Sequence, residues 1–294
     1  MSQSAAGDTA RSARRAEALG SRLPPLLVAA ERVAATVAQG IHGRRRVGQG
    51  DSFWQFRPFV AGDPVGRIDW RQSARSDRAF VRETEWEAAQ TVCLWRDGSA
   101  SMRWRSREAS TDKIERAELL LLALASLLLR GGERVRLIGS DQRAVVGLDQ
   151  LAQELPRLPE SDGTPPETAL PRHARVVLIA DWLAPLNRVQ AVVGRMAGIP
   201  VSGHLLQVLD PAEAVLPYTG RVRFEGTRME SSTLIARVEG VRTDYTARLA
   251  AQQQGLAAIC GAAGWGFSVH RTDHPPEAAL LALYSALTPL PGRR

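Results

Sequence analysis

Lysine is nearly missing from this chain. Of its 38 basic residues only Lys113 is a lysine, and every other one is arginine. Cysteine is as scarce. Cys93 and Cys260 are the only two, which excludes a disulfide scaffold and cannot build a zinc knuckle. The stretch Met1–Arg22 is polar, carries Asp8 and Glu17 and has no apolar run, so no secretory signal is expected there. The most apolar stretch, Leu119–Leu129, is well short of the roughly 20 residues a bilayer requires. It reads as a buried helix, and the protein is expected to be soluble and cytoplasmic. The phosphate-binding pattern G-x-x-x-x-G-K-[ST] is absent, because the lone lysine follows Asp112; this excludes a P-loop NTPase. Gly48-Gln49-Gly50 lacks a third glycine and opens no helix, so a dinucleotide site is unsupported. Ser99 directly follows Gly98, which rules out the G-x-S-x-G elbow of serine hydrolases.

What is present describes an ordinary globular protein with a basic bias. Hydrophobic residues make up 44% and charged residues 23% of 294, and the net charge is +7. Such a chain is long enough to bury a sizeable core. Residues 1–22 mix Ser, Ala, Gly and Arg without periodicity and are expected to form a tail. Leu26, Leu27, Val28, Val33 and Val37 lie at helical spacing over 24–39, and Gly40 and Gly43 punctuate its end. The segment up to residue 90 then interleaves aromatics (Phe53, Trp54, Phe56, Phe59, Trp70, Phe80) with arginines. Over 44–82 it holds nine arginines and four aspartates. Short strands and loops are expected here, with Trp54 and Trp70 packed as a structural cover and Arg67 paired to Asp63 or Asp69.

From Thr91 strands and helices alternate. Strands are expected at 91–95, 134–139, 144–146, 175–180, 201–208 and 266–271. Helices are expected at 113–130, 149–156, 186–197, 241–262 and 275–288. Asp112 with Glu115 forms the N-terminal capping signature of the first of these helices, and Gly131-Gly132 ends it. Apolar strands alternating with helices predict a mostly parallel sheet covered on both faces. Cys93, inside a strand, reads as a small buried hydrophobe. His173, His204 and His270 have no metal spacing and read as structural.

Ligands of such sheets bind beyond the carboxyl ends of the strands. After the first strand come Asp97-Gly98-Ser99-Ala100-Ser101, and after the 175–180 strand comes Asp181. The loop before that strand carries Thr164 and Thr168. Asp97, Ser99, Ser101, Thr164 and Asp181 form an all-oxygen set, the donor chemistry of Mg²⁺, with Mn²⁺ or Ca²⁺ as alternatives. Thr168 is the second choice for the threonine. Two carboxylates brought close would repel without a cation between them, so Asp181→Asn is expected to raise the stability of the metal-free protein.

Asp97, Ser99 and Ser101 at the end of an apolar strand resemble the metal-ion-dependent adhesion site of von Willebrand factor A domains. The upstream stretch is similar to the signature of the bacterial "domain of unknown function 58" family. It consists of Phe56-Arg57-Pro58-Phe59-Val60-Ala61-Gly62-Asp63, Arg67-Ile68-Asp69-Trp70, Ser73-Ala74-Arg75 and Val81-Arg82-Glu83-Thr84-Glu85. The resemblance implies a von Willebrand factor A-like, doubly wound α/β fold at 91–290, preceded by an N-terminal helix and a small β/loop segment at 23–90. It also implies a partner, an AAA+ ATPase of the MoxR type, and no established enzymatic activity. The expected function is a non-enzymatic, Mg²⁺-dependent protein-interaction module in a chaperone-like or complex-assembly system. An acidic residue of a client protein would complete the metal's coordination, and nucleic acid is not the expected partner. The alternatives are a metal-dependent phosphoesterase or nuclease, which would lack an evident base beside Asp97, and a scaffold with a vacant site. The sequence departs from the family in two ways. Many members begin with two membrane-spanning helices, which have no counterpart here. Asp181 is followed by bulky Trp182, where the adhesion-site pattern has a small residue, and this would crowd the metal.

Overall fold

A computed structural model of the chain describes residues 23–41, 53–60, 68–75, 78–84, 89–141, 147–227 and 232–287. The expected tail at 1–22, the expected strand at 144–146 and the pairing of Arg67 lie outside these residues. The described residues within Met1–Gly40 and Gln90–Arg294 form one compact unit, and those within Ile41–Ala89 form a second.

Helix α1 spans Leu23–Ile41. Its buried residues Ala30, Val33, Ala34 and Val37 recur at helical spacing, so they make a single stripe. In the second unit, strand β1 (Phe53–Pro58) is followed by one helical turn, α2 (Trp70–Ser73), and by strand β2 (Phe80–Thr84). β1 and β2 pair antiparallel, with Phe56 opposite Arg82. The Ser73 hydroxyl donates to the Asp69 carbonyl at 2.7 Å and accepts the Phe80 N–H at 2.8 Å, fastening the turn to β2. Trp70 is 66% exposed. Within its own unit it is therefore not a core residue.

The larger unit is built on strands β3 (Thr91–Arg96), β4 (Arg134–Leu137), β5 (Arg175–Ala180), β6 (Ser202–Leu209) and β9 (Gly266–Arg271). All four pairings in this sheet are parallel, in the order β4-β3-β5-β6-β9. Helix α3 (Lys113–Arg130) follows β3. Asp112 caps it by accepting the Glu115 N–H at 2.8 Å, and the turn at its end needs the left-handed backbone of Gly132 (φ 79°). Helix α4 (Leu148–Glu154) precedes β5, and α5 (Leu186–Ala197) follows it. After β6 come the short helix α6 (Pro211–Val215), a hairpin of β7 (Val222–Phe224) and β8 (Thr233–Ile235), and helix α7 (Arg242–Ala262). Helix α8 (Pro276–Leu287) follows β9.

Helices cover both faces of the sheet. Alternate strand residues Cys93, Trp95, Val176, Leu178, Ala180 and Leu205 pack with Val189, Val192, Val193 and Met196 of α5 and with Leu256 and Cys260 of α7. Helix α3 covers the other face, and nearly all of it is buried. It is hidden because α1 is tied to it as well: the Ser126 hydroxyl donates to Glu31 at 3.0 Å and Arg130 ion-pairs with Glu31. This is an α/β fold of the von Willebrand factor A-like, doubly wound kind. From β3 the chain winds to β4 on one side and then to β5 on the other. The switch point thus falls at the carboxyl ends of β3 and β5, where such folds place their ligands.

Candidate functional site

Asp97 leaves β3 beside β5, its N–H donating to the Ile179 carbonyl at 2.8 Å. Its side chain is fully buried. One carboxylate oxygen accepts the Ser99 N–H at 2.8 Å, and the other accepts the Ser99 hydroxyl at 2.7 Å. The Ser99 and Ser101 hydroxyl oxygens lie 3.0 Å apart. A third hydroxyl, that of Ser161, donates to Asp97 and accepts the Gly98 N–H at 2.9 Å. Three of the five expected ligands therefore form one cluster, and Ser161 is a member that the sequence reading missed.

Gly98 is confined by Arg96, two residues before it. A Cβ there would stand 2.6 Å from a terminal nitrogen of Arg96. That guanidinium is buried, pairs with Glu118 at 3.1 Å and donates to the Leu155 carbonyl at 2.8 Å. Burial pushes the Glu118 carboxyl up, and Arg96 draws it back toward the charged form.

Thr164 and Asp181 have other partners. The Thr164 hydroxyl donates to Asp162 at 2.6 Å, and Asp162 ion-pairs with Arg188 of α5. The Thr164 bond, then Arg188, holds the Asp162 carboxyl below its ordinary range. Thr164 and Ser161 line one crevice of about 520 Å³, together with Trp95, Arg96 and Val192. The Thr168 hydroxyl points to the Pro166 carbonyl at 3.5 Å. Asp181 ends β5 as expected. One of its oxygens accepts the Leu183 N–H at 3.3 Å, and the other lies 3.2 Å from the Lys113 ammonium. Trp182 does not crowd this edge. With a left-handed backbone (φ 50°) it turns into the core. There it donates to the Leu206 carbonyl at 3.0 Å and meets the Trp95 ring at 6.0 Å. The strain of that backbone for a bulky residue, on the order of 1–3 kcal/mol, persists because packing overdetermines it.

The next strand adds a further acid that the sequence reading passed over. Asp210, at the end of β6, caps α6 in a full capping box with Glu213 and also accepts the Ser106 N–H at 2.8 Å. The other oxygen of Glu213 takes the Lys113 ammonium at 2.5 Å. Burial pushes the Glu213 carboxyl up, and Lys113 draws it down. Asp210-Pro211-x-Glu213 carries a capping signature with proline at the first helical position, so this helix start was visible in the sequence.

Among the described residues no group of three or more His, Cys, Asp or Glu is placed to hold a metal. The Asp97 cluster offers one carboxylate ringed by hydroxyls, all hard oxygen donors, and that chemistry fits Mg²⁺ with water filling its other positions. Among the same residues no helix is long and apolar enough to cross a membrane.

Residues 55–158 match a family model described as "Protein of unknown function DUF58". The match runs from β1 through the Asp97 loop to the end of the 3₁₀ turn after α4, less than half of the chain. No curated protein matches. Two solved structures are similar. The conserved hypothetical protein BatB from Bacteroides thetaiotaomicron shares 16% identity at a TM-score of 0.39, over 68% of this chain and 97% of that one. An aerotolerance-related membrane protein from Bacteroides fragilis NCTC 9343, carrying multiple mutations to serines, shares 16% identity at a TM-score of 0.42, over 67% and 98%. At these scores neither likeness bears on function.

Proposed function

We propose that the chain is a non-enzymatic protein-interaction module whose docking point is the oxygen cluster at the switch point of the sheet. The observation that supports this is the oxygen cluster itself: Ser99 and Ser161 both bond to the buried Asp97 carboxylate, and the Ser101 hydroxyl joins it through that of Ser99. Asp97, Ser99 and Ser101 would hold Mg²⁺. The loop hydroxyl would come from Ser161, and Asp181 would act no nearer than through water. A bound Mg²⁺ would supply a fixed positive centre for an acidic side chain of the partner. The protein's own part is positional. The Ser99 N–H and hydroxyl orient the Asp97 carboxylate, and the Arg96–Glu118 pair beneath Gly98 keeps the loop backbone in place. An AAA+ ATPase of the MoxR type is the partner that the family resemblance suggests. Isothermal titration with Mg²⁺ and Mn²⁺ tests the cation site. Asp97→Ala is expected to abolish the binding heat, because it removes the cluster's only charged donor, and equal heats for wild type and variant would refute the reading.

A further inference from the structure

Lys113 is the one lysine among 38 basic residues, and its side chain is 0% exposed. It is the first residue of α3, where the positive end of the helix dipole opposes a cation. Both burial and position therefore disfavour its charge. Two carboxylates compensate for it: Asp181 at 3.2 Å, from the end of β5, and Glu213 at 2.5 Å, from α6 after β6. The opposite oxygens of both acids are engaged by backbone N–H groups, those of Leu183 and Asp210. Asp181, which lies at the end of the strand paired with β3, is thus already neutralised by a cation that belongs to the chain.

We propose that Lys113 is a positioning residue of the cation site. Its ammonium keeps Asp181 out of direct coordination, so a divalent ion is confined to the Asp97 cluster and is held weakly until a partner's carboxylate joins it. This rests on the reading of that cluster as a cation site. Removing the ammonium deletes a positive charge at the end of the strand beside β3 and frees the Asp181 carboxylate there, and both changes strengthen divalent binding.

The test is titration of Mn²⁺ and Mg²⁺ into wild type, K113M, E213Q and the double variant K113M/E213Q, each with and without D97A. The double variant leaves only Asp181 without its partner, so it is the safer fold. At least tenfold tighter binding in K113M/E213Q than in E213Q, lost with D97A, is expected. Equal affinities that still require Asp97 overturn the role of Lys113 and leave the cluster reading standing, whereas silence in every protein overturns both. Because the chain has a single lysine, ¹⁵N-lysine labelling also reads the unmodified protein. The ammonium signal is expected to stay protected from solvent exchange at saturating Mg²⁺. Its loss on Mg²⁺ addition would mean that Asp181 leaves Lys113 for the ion, and would overturn the inference.

Discussion

Asp181→Asn reverses sign between the sequence and the structure. Two unshielded carboxylates at the ends of adjacent strands would repel, and neutralising one should then stabilise the metal-free fold. In the structure the neighbour that counts is a cation. The carboxylate of Asp181 accepts from two different donors, the Lys113 ammonium at 3.2 Å and the Leu183 N–H at 3.3 Å. An asparagine amide has one acceptor and one donor end. Whichever way it turns, its NH₂ faces a donor, and the fully buried Lys113 is left with Glu213 alone.

Breaking a buried ion pair by removing one partner costs about 3–5 kcal/mol. Glu213 still compensates part of the charge, so a loss of about 2–3 kcal/mol is the better expectation. For a protein of this size each kcal/mol moves Tm by about 2–4 °C, which gives a fall of roughly 4–12 °C. Calorimetry of both proteins in EDTA at pH 7 measures it. An unchanged or higher Tm in the variant would refute the argument, because it would mean that carboxylate repulsion outweighs the bond to Lys113.

Two further outcomes follow from burial. Trp70, at 66% exposed, should tolerate Trp70→Ala with a change within about 0.5 kcal/mol; a urea midpoint shifted as far as that of a core variant would contradict it. Burial holds His204 down at about 4, and burial with Arg116 holds His270 down at about 4. The unfolded chain, with histidines near ~6.5, therefore takes up protons first as pH falls. Stability should be full above 6.5 and should drop between 6.5 and 4, by up to about 3 kcal/mol for each histidine. His204→Asn should flatten the urea-midpoint profile in that window, and an unchanged slope would overturn this assignment.

The strands and helices that carry the fold were legible wherever local chemistry decides them. Val176-Val177-Leu178-Ile179-Ala180 can only be a strand buried on both faces, and Asp112 and Gly131-Gly132 mark both ends of α3 in the sequence itself. The β7–β8 hairpin was not legible. Its strands have three residues each, with Arg223 and Leu234 turned to solvent, too short for any alternation to register. The exposure of Trp70 was not legible either, because a tryptophan in sequence shows its size and not its neighbours.

The site divides along the same line. Asp97, Ser99 and Ser101 lie within five residues, so their common direction follows from the chain alone. Ser161 reaches Asp97 from 64 residues away, and Lys113 reaches Asp181 and Glu213 from 68 and 100. No local pattern encodes such meetings. One compositional oddity gains its meaning only from the last of them. In a chain that uses arginine at every other basic position, a lone lysine marks a place where a planar five-donor fork will not serve. A compact ammonium can be gripped from two sides by carboxylates of separate elements, as Asp181 and Glu213 grip this one. That Lys113 is buried, and that acids at the carboxyl edge of the sheet hold it, shows only in the structure. Naming those partners required the parallel order β3-β5-β6, which brings the loops after β5 and β6 to the same edge as the start of α3.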